Sequence, residues 1–372
     1  MRPYRRRLGV IAAAILVLVM IGALLPDPVG TWRPFDLPRD RLRTTAWLAA
    51  LPAAVSRYVA SNFGYGRSMP LLRGITEYAF SNPSDPRVFI GRNAHLYYNG
   101  ENVVGQSTGS IYRPAEVRHF VDMADALRRA LATTGGKLLV MLPPNAPSVA
   151  TRDLPSWWHV SGPLEYDLAM TELRQRGIAT IDLKAALTAR RDADELYRTT
   201  DGHWRWSGAL VAFNLAMNAI GHGEWSLDPA TSLSPVTVRG GDLARLIGLQ
   251  DYLSDQDYVV RGVPGGWTAT DVIQTAPFMG VFIPFAYERT PSGVRILVLG
   301  DSFTQGYWDP MLQFTGAARV GWMHHGFCTF DFNAVERFEP TIVILAPTER
   351  SMPCPADNWP RGLPHGEATA SR

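Results

Sequence analysis

Three short, uninterrupted apolar runs constrain the fold of this chain most: KLLVML at residues 137–142, RILVL at 295–299 and TIVIL at 341–345. A strand with one wet face alternates apolar and polar residues, whereas a strand covered on both faces is apolar throughout. Runs this short suit buried strands better than helices, which need about ten residues or more. Amphipathic stretches lie between them. Residues 114–133 carry Val117, Phe120, Val121, Ala124 and Leu127 at helical spacing, 164–176 and 207–220 read as further helices, and 178–183 (IATIDL) reads as another strand. This alternation predicts an α/β three-layer sandwich around a mainly parallel sheet. In such sheets reactive groups collect at the carboxyl ends of the strands, so the residues that follow each apolar run matter most.

Two regions break the rhythm. Residues 26–85 read as a helical segment, with a helix over 45–61 that contains Pro52, then a loop carrying Gly64, Gly66, Pro70 and Gly74. Residues 222–293, rich in Gly, Pro, Asp and Thr, read as a β-rich insertion of hairpins and loops with one short helix near 242–249. The α/β domain is therefore expected over 86–360, opening with short strands at 88–90 and 95–98, and a polar tail follows at 361–372.

Residues 8–25, LGVIAAAILVLVMIGALL, form an uncharged run of 18. A helix of that length rises about 27 Å, close to the roughly 30 Å of a bilayer core. Arg2, Arg5, Arg6 and Arg7 precede the run, and the first acidic residue, Asp27, follows it. Positive flanks stay cytoplasmic. The expectation is a cytoplasmic tip at 1–7, a retained single-pass transmembrane helix at 8–25 in the inner membrane, and a periplasmic body. A cleaved signal peptide has the same basic head and apolar centre, but no clean small-x-small cleavage site follows. Without those four arginines the chain holds 32 basic against 34 acidic side chains. That mildly acidic body is a poor electrostatic match for nucleic acid. Export permits a bridge between Cys328 and Cys354, the two cysteines of the chain, and the sequence leaves the paired and free states open.

The run at 295–299 leads directly into Gly300-Asp301-Ser302-Phe303. A serine leaving a buried strand and entering a helix projects its hydroxyl at the strand's carboxyl edge. Its own N–H, at the helix N-terminus, faces a developing oxyanion. The same tripeptide also fits a plain helix cap by Asp301 or Ser302. Asp201-Gly202-His203-Trp204 offers a base. Residues two apart in an extended loop point the same way, so Asp201 can accept a hydrogen bond from His203 and hold its tautomer. Taken alone, that tetrapeptide also fits a surface turn with a structural histidine. His324-His325 has no acidic neighbour in sequence, and the other histidines lack metal-ligand spacing, so no metal is expected. Trp204 belongs to a set of aromatic residues, with Trp157 and Trp158, that suit stacking on sugar rings or plain core packing.

The order strand, Asp-x-His-Trp, helix, insertion, strand, Gly-Asp-Ser resembles the SGNH-hydrolase-like proteins of alginate and related exopolysaccharide O-acetylation. The likeness runs over about residues 63–350. It includes Gly91-Arg92-Asn93-Ala94-His95-Leu96-Tyr97, the loop at 140–149, Gly208-Ala209, Gly241-Asp242-Leu243 and Glu349-Arg350. Ordinary Gly-Asp-Ser esterases place Asp-x-x-His after the serine. Here the pair precedes it with one intervening residue, as in the acetylation family. Ala94-His95, Ala146 and Arg205 depart from the residues usual there.

The resemblance implies a triad of Ser302 as nucleophile, His203 as general base and Asp201 as its orienter. Asn145 and Arg350, at strand ends, are the candidates for a second oxyanion or substrate contact. The implied activity is O-acetyl transfer onto a polysaccharide acceptor, with no bound cofactor and with the acetyl donor supplied through a multi-spanning membrane O-acyltransferase partner. A carbohydrate acetylesterase would use the same triad, and a non-catalytic polysaccharide-binding subunit would keep the fold without needing it.

Overall fold

The structure, a computed structural model, describes residues 46–190 and 192–365 throughout; of the first 45 it describes 10, 13–14, 16–17, 20–22, 24–29 and 32–36. The expected cytoplasmic tip at 1–7 and the end of the polar tail lie outside the described residues, as does much of the apolar run at 8–25. Among the described residues no helix is long and apolar enough to cross a membrane. The chain divides into two units, Met1–Asn82 with Ile247–Leu249, and Pro83–Leu246 with Gln250–Arg372.

The first unit contains helices Ala46–Asn62 and Ser68–Ala79. The second of these corrects the sequence reading, which expected a loop around Pro70 and Gly74. Pro70 falls in the first helical turn, where a missing N–H costs nothing. The Asp27 carboxylate accepts hydrogen bonds from the N–H groups of Arg67 and Ser68 at 2.7 and 3.2 Å, satisfying donors at the start of that helix.

The second unit is built on eleven strands: β1 Val88–Ile90, β2 Leu96–Tyr98, β3 Lys137–Met141, β4 Ala179–Ile181, β5 Leu233–Arg239, β6 Ser254–Val260, β7 Thr268–Ala269, β8 Phe285–Glu288, β9 Arg295–Gly300, β10 Arg319–His324 and β11 Ile342–Ala346. Seven of them form one sheet in the order β4-β3-β11-β9-β10-β8-β7. The five strands from β4 to β10 are parallel, and β8 and β7 join antiparallel. The sheet is therefore mixed, and the insertion supplies its antiparallel edge. β5 and β6 pair separately as an antiparallel hairpin.

Period-two alternation explains the three layers. Leu139, Met141, Ile296, Val298 and Ile344 bury one face against helices Trp206–Ala219 and Ser302–Leu312, through residues such as Phe213, Phe303 and Trp308. Leu138, Val140, Leu297, Leu299 and Leu345 bury the other face against Pro114–Ala132, Glu165–Gln175 and Phe332–Phe338. Both faces are dry, which is why these strands are apolar after their first residues, Lys137 in β3 and Arg295 in β9. Cys328 and Cys354 form a disulfide, joining the segment after β10 to the segment after β11.

Candidate active site

β9 ends at Gly300, and Asp301 is the N-cap of the helix that begins at Ser302. One Asp301 oxygen accepts the Phe303 N–H at 3.0 Å; the other accepts the N–H and hydroxyl of Thr348, after β11, at 2.8 and 2.7 Å. A Cβ at Gly300 would collide with the Thr304 side chain, so only glycine lets the chain turn this tightly. The capping duty thus falls to Asp301, and Ser302 stands half-buried as the first helical residue at the carboxyl edge of the sheet. Its N–H is among the donors that have no intrahelical acceptor.

Asp201 and His203 meet as the spacing predicts. The His203 Nδ1 lies 2.6 Å from Asp201 Oδ1, which also accepts the His203 backbone N–H at 3.0 Å. The second Asp201 oxygen accepts from the Arg198 guanidinium and from the Asp242 N–H, each at 3.3 Å. Burial alone would raise the Asp201 carboxyl. The hydrogen bond and charge of His203, then the charge of Arg198, outweigh it and hold the group well below the usual carboxylate range.

The insertion builds the walls of this loop. On β6, the buried Asp255 accepts the N–H and hydroxyl of both Thr199 and Thr200. Asp257, two residues on and on the same face of the strand, pairs with Arg198 (Nε at 2.7 Å) and accepts the Trp206 N–H at 3.0 Å. Asp242, at the start of the Asp242–Leu246 helix, accepts the Gly202 N–H at 2.8 Å, and its second oxygen lies 3.7 Å from His203 Nδ1. Asp255 and Asp257 carry no local sequence signal for their roles, and Asp242 carries only its place in the Gly241-Asp242-Leu243 resemblance. Their partners lie about 40 to 60 residues away along the chain.

Phe303, next to Ser302, links the two halves of the site. Its ring packs 5.1 Å from the His203 ring, and its carbonyl accepts the Trp204 Nε1–H at 3.0 Å. The Tyr307 hydroxyl, one helical turn on, donates to the Trp204 carbonyl at 2.8 Å. The serine's helix and the histidine's loop are therefore interlocked. Among the described residues no hydrogen bond joins Ser302 to His203; catalytic hydrogen bonds are often longer before substrate arrives.

The remaining expected site residues have different surroundings. Trp204 is 0% exposed and packs on Phe303 and Tyr307, so it is a core residue that locks the loop and presents no face for a sugar. Asn145 is 1% exposed; its N–H donates to Glu349 at 2.8 Å and its side-chain amide lies 3.4 Å from the Ser107 hydroxyl. Arg350 keeps its place in the site, with its guanidinium 4.9 Å over the Phe303 ring and 5.2 Å over Tyr98. His324 ends β10 and His325 follows it; both are buried, and burial pushes His324 down to about 4. Asp201, His203 and Asp242 are the one tight cluster of cation-ligand type among the described residues. Both Asp201 oxygens, His203 Nδ1 and one Asp242 oxygen are engaged in hydrogen bonds with one another and with neighbouring N–H groups. A cavity of about 810 Å³ opens beyond the carboxyl ends of β3 and β4, lined by Ser107, Ser148, Trp158 and Lys184 among others; none of Ser302, His203 and Asp201 lines it.

No curated protein matches the chain significantly. Among solved structures, PatB1 of Bacillus cereus with a sulfonyl adduct is 16% identical, at a TM-score of 0.53, over 72% of this chain and 95% of that one. The O-acetyltransferase domain of Pseudomonas putida AlgJ is 18% identical, at 0.48, over 73% and 94%. The likeness to PatB1 is one of fold. Residues 88–262, which include Asp201 and His203 and stop short of Ser302, match the family described as the SGNH hydrolase-like domain of the acetyltransferase AlgX. Over those residues the chain is thus similar to the SGNH hydrolase-like domain of that acetyltransferase.

Proposed function

We propose that this protein is an O-acetyltransferase working through an acyl-serine at Ser302, with a polysaccharide hydroxyl as acceptor. The observation that carries the reading is the Asp201–His203 pair, hydrogen-bonded at 2.6 Å and packed through Phe303 against the helix that Ser302 begins. His203 takes the Ser302 proton as Oγ attacks the acetyl carbonyl, and passes it to the departing donor oxygen as that ester bond breaks. A sugar hydroxyl then loses its proton to His203 and attacks the acyl-serine, forming the sugar ester and restoring Ser302. Asp201 keeps the imidazole in the required tautomer and stabilises it when charged. The Ser302 N–H at the helix N-terminus faces the oxyanion, and Arg350 adds positive charge nearby. The cavity beyond β3 and β4 offers Trp158 and several hydroxyl groups to a glycan, which supports a sugar acceptor.

The charge asymmetry across residues 8–25 supports a single-pass inner-membrane anchor with a periplasmic body. The Cys328–Cys354 disulfide agrees with an oxidising compartment. A multi-spanning membrane O-acyltransferase partner would deliver the acetyl group. The test is incubation of the full chain with an activated acetyl ester, with and without candidate oligosaccharides, read by mass spectrometry. Acetylated Ser302 and acetylated sugar are expected. Free acetate alone at every acceptor concentration would make the protein an esterase, and no modification of Ser302 would end the acyl-serine reading.

A further inference from the structure

The insertion does more than wall the site. Asp242 and the Asp201-Gly202-His203 turn exchange hydrogen bonds in both directions: the Gly202 N–H donates to Asp242 Oδ1 at 2.8 Å, and the Asp242 N–H donates to Asp201 Oδ2 at 3.3 Å. Such reciprocal pairing fixes two loops in register. It needs close approach, because a Cβ on Gly241 would collide with the Asp201 carboxylate. The free Asp242 oxygen then lies 3.7 Å from His203 Nδ1, beside the 2.6 Å bond that Asp201 makes to the same atom. Two carboxyl groups therefore approach Nδ1 of His203, only one of which belongs to the expected triad.

We propose that Asp242 is a positioning residue of this site, holding Asp201 in place through its backbone N–H and supporting the charged His203 imidazole with its carboxylate. The inference rests on the reading of His203 as the general base and deepens it. Burial, then the charge of Asp201, push the Asp242 carboxyl upward, as expected of a second acid beside one that is already ionised. The charged and titratable groups around the pair are Asp201 and Arg198 on the loop, Asp257 on β6, Tyr98 on β2, Tyr307 on the Ser302–Leu312 helix, and Arg350. Of the carboxylates, Asp257 is occupied by Arg198 and the Trp206 N–H. Asp242 is thus the second negative group within reach of the imidazole.

The sign of the effect follows from charge. A carboxylate 3.7 Å from Nδ1 supports the charged imidazole formed during turnover, so its removal leaves that charge less supported. Neutral imidazole is the base. In Asp242→Asn the plateau of the pH profile should therefore fall, and its pH dependence should differ from wild type. A merely structural loss lowers the plateau without changing the pH dependence.

The experiment uses full-length protein with labelled histidine, in wild type, Asp242→Asn and Asp242→Glu. His203 ring resonances are followed against pH by NMR, and a serine-directed sulfonyl probe reports the pH profile of Ser302 labelling. Asn can still accept the Gly202 N–H, so the turn should persist. The expected result is a pH dependence that differs from wild type in both readouts for Asn, a labelling plateau about tenfold lower, and recovery toward wild type with Glu. If the Asn variant does not fold, Asp242→Ser, which also accepts at a helix N-terminus, takes its place. Superimposable His203 titrations in the wild-type and uncharged variants overturn the inference even if Ser302 labels normally. Absence of Ser302 labelling with the titration difference intact would instead sink the acyl-serine reading and leave Asp242 standing.

Discussion

Asp301 and Ser302 divide two jobs that a Gly-Asp-Ser tripeptide leaves open between them. Asp301 spends both oxygens on backbone and Thr348 donors. Ser302 is left as the first residue of its helix, with its hydroxyl uncommitted to capping. At this level the decisive comparison is between single and double replacements. Ser302→Ala and His203→Ala should each lower acetyl transfer by about a thousandfold or more, and the double variant should be no worse than either, because the pair acts as one unit. Asp201→Asn should be milder than His203→Ala, since the base survives without its support. Initial rates of sugar acetylation across the four proteins settle this. A double variant that loses the product of the two single losses would show independent roles.

The base loop is held by one strand of the insertion. Asp255 and Asp257 are 3% and 1% exposed, and each satisfies donors that would otherwise be left without partners. Removing one partner of a buried ion pair costs more than the pair itself contributes, because the remaining charge loses its compensation. Asp257→Ala should therefore destabilise the protein by about 3 kcal/mol. Arg198, which also bonds Asp201, would lose its anchor, so activity should fall with stability. Urea denaturation and acetyl transfer measured together test the link. A variant that is destabilised yet fully active would separate the strand from the site.

For the whole molecule, pH is the informative variable. Burial pushes His324 down to about 4, and burial followed by the neighbouring His324 pushes His325 lower still. An unfolded histidine binds its proton near 6.5, while these stay neutral in the fold, so the unfolded state holds more protons below that value. Stability should accordingly be full above about pH 6.5 and fall toward pH 4, with each group contributing up to about 1.4 kcal/mol per pH unit. Melting temperatures at pH 7 and pH 4.5 check it, and His325→Phe should flatten the slope. The Cys328–Cys354 bridge acts differently. With its cysteines 26 positions apart, loss of the link should cost about 3 kcal/mol at any pH by freeing the unfolded chain. Neither cysteine touches Asp201, His203 or Ser302, so the double serine variant, once folded, should keep most of its turnover.

Short-range physics was readable in the residues alone. The three dry runs predicted β3, β9 and β11 within a residue or two, since burial on both faces leaves an unbroken apolar signature. The Asp201–His203 bond was equally legible from the spacing, although the chain there is a turn, in which Asp201 also accepts the His203 N–H, and not an extended loop. Long-range polar pairing leaves no such mark. Asp255 and Asp257 look like any acidic residues of a Gly- and Asp-rich insertion until folding sets them against donors on the 198–206 loop, and the Gly241-Asp242-Leu243 resemblance marked Asp242 without its contact to His203. The helix at Ser68–Ala79 was hidden by Pro70, whose cost depends on its position within the turn. β8 and β7 were missed because a partly exposed edge strand of a few residues carries little periodicity. Trp204 and Asn145 looked available and proved buried, since a residue's exposure is set by what folds over it and not by its own chemistry.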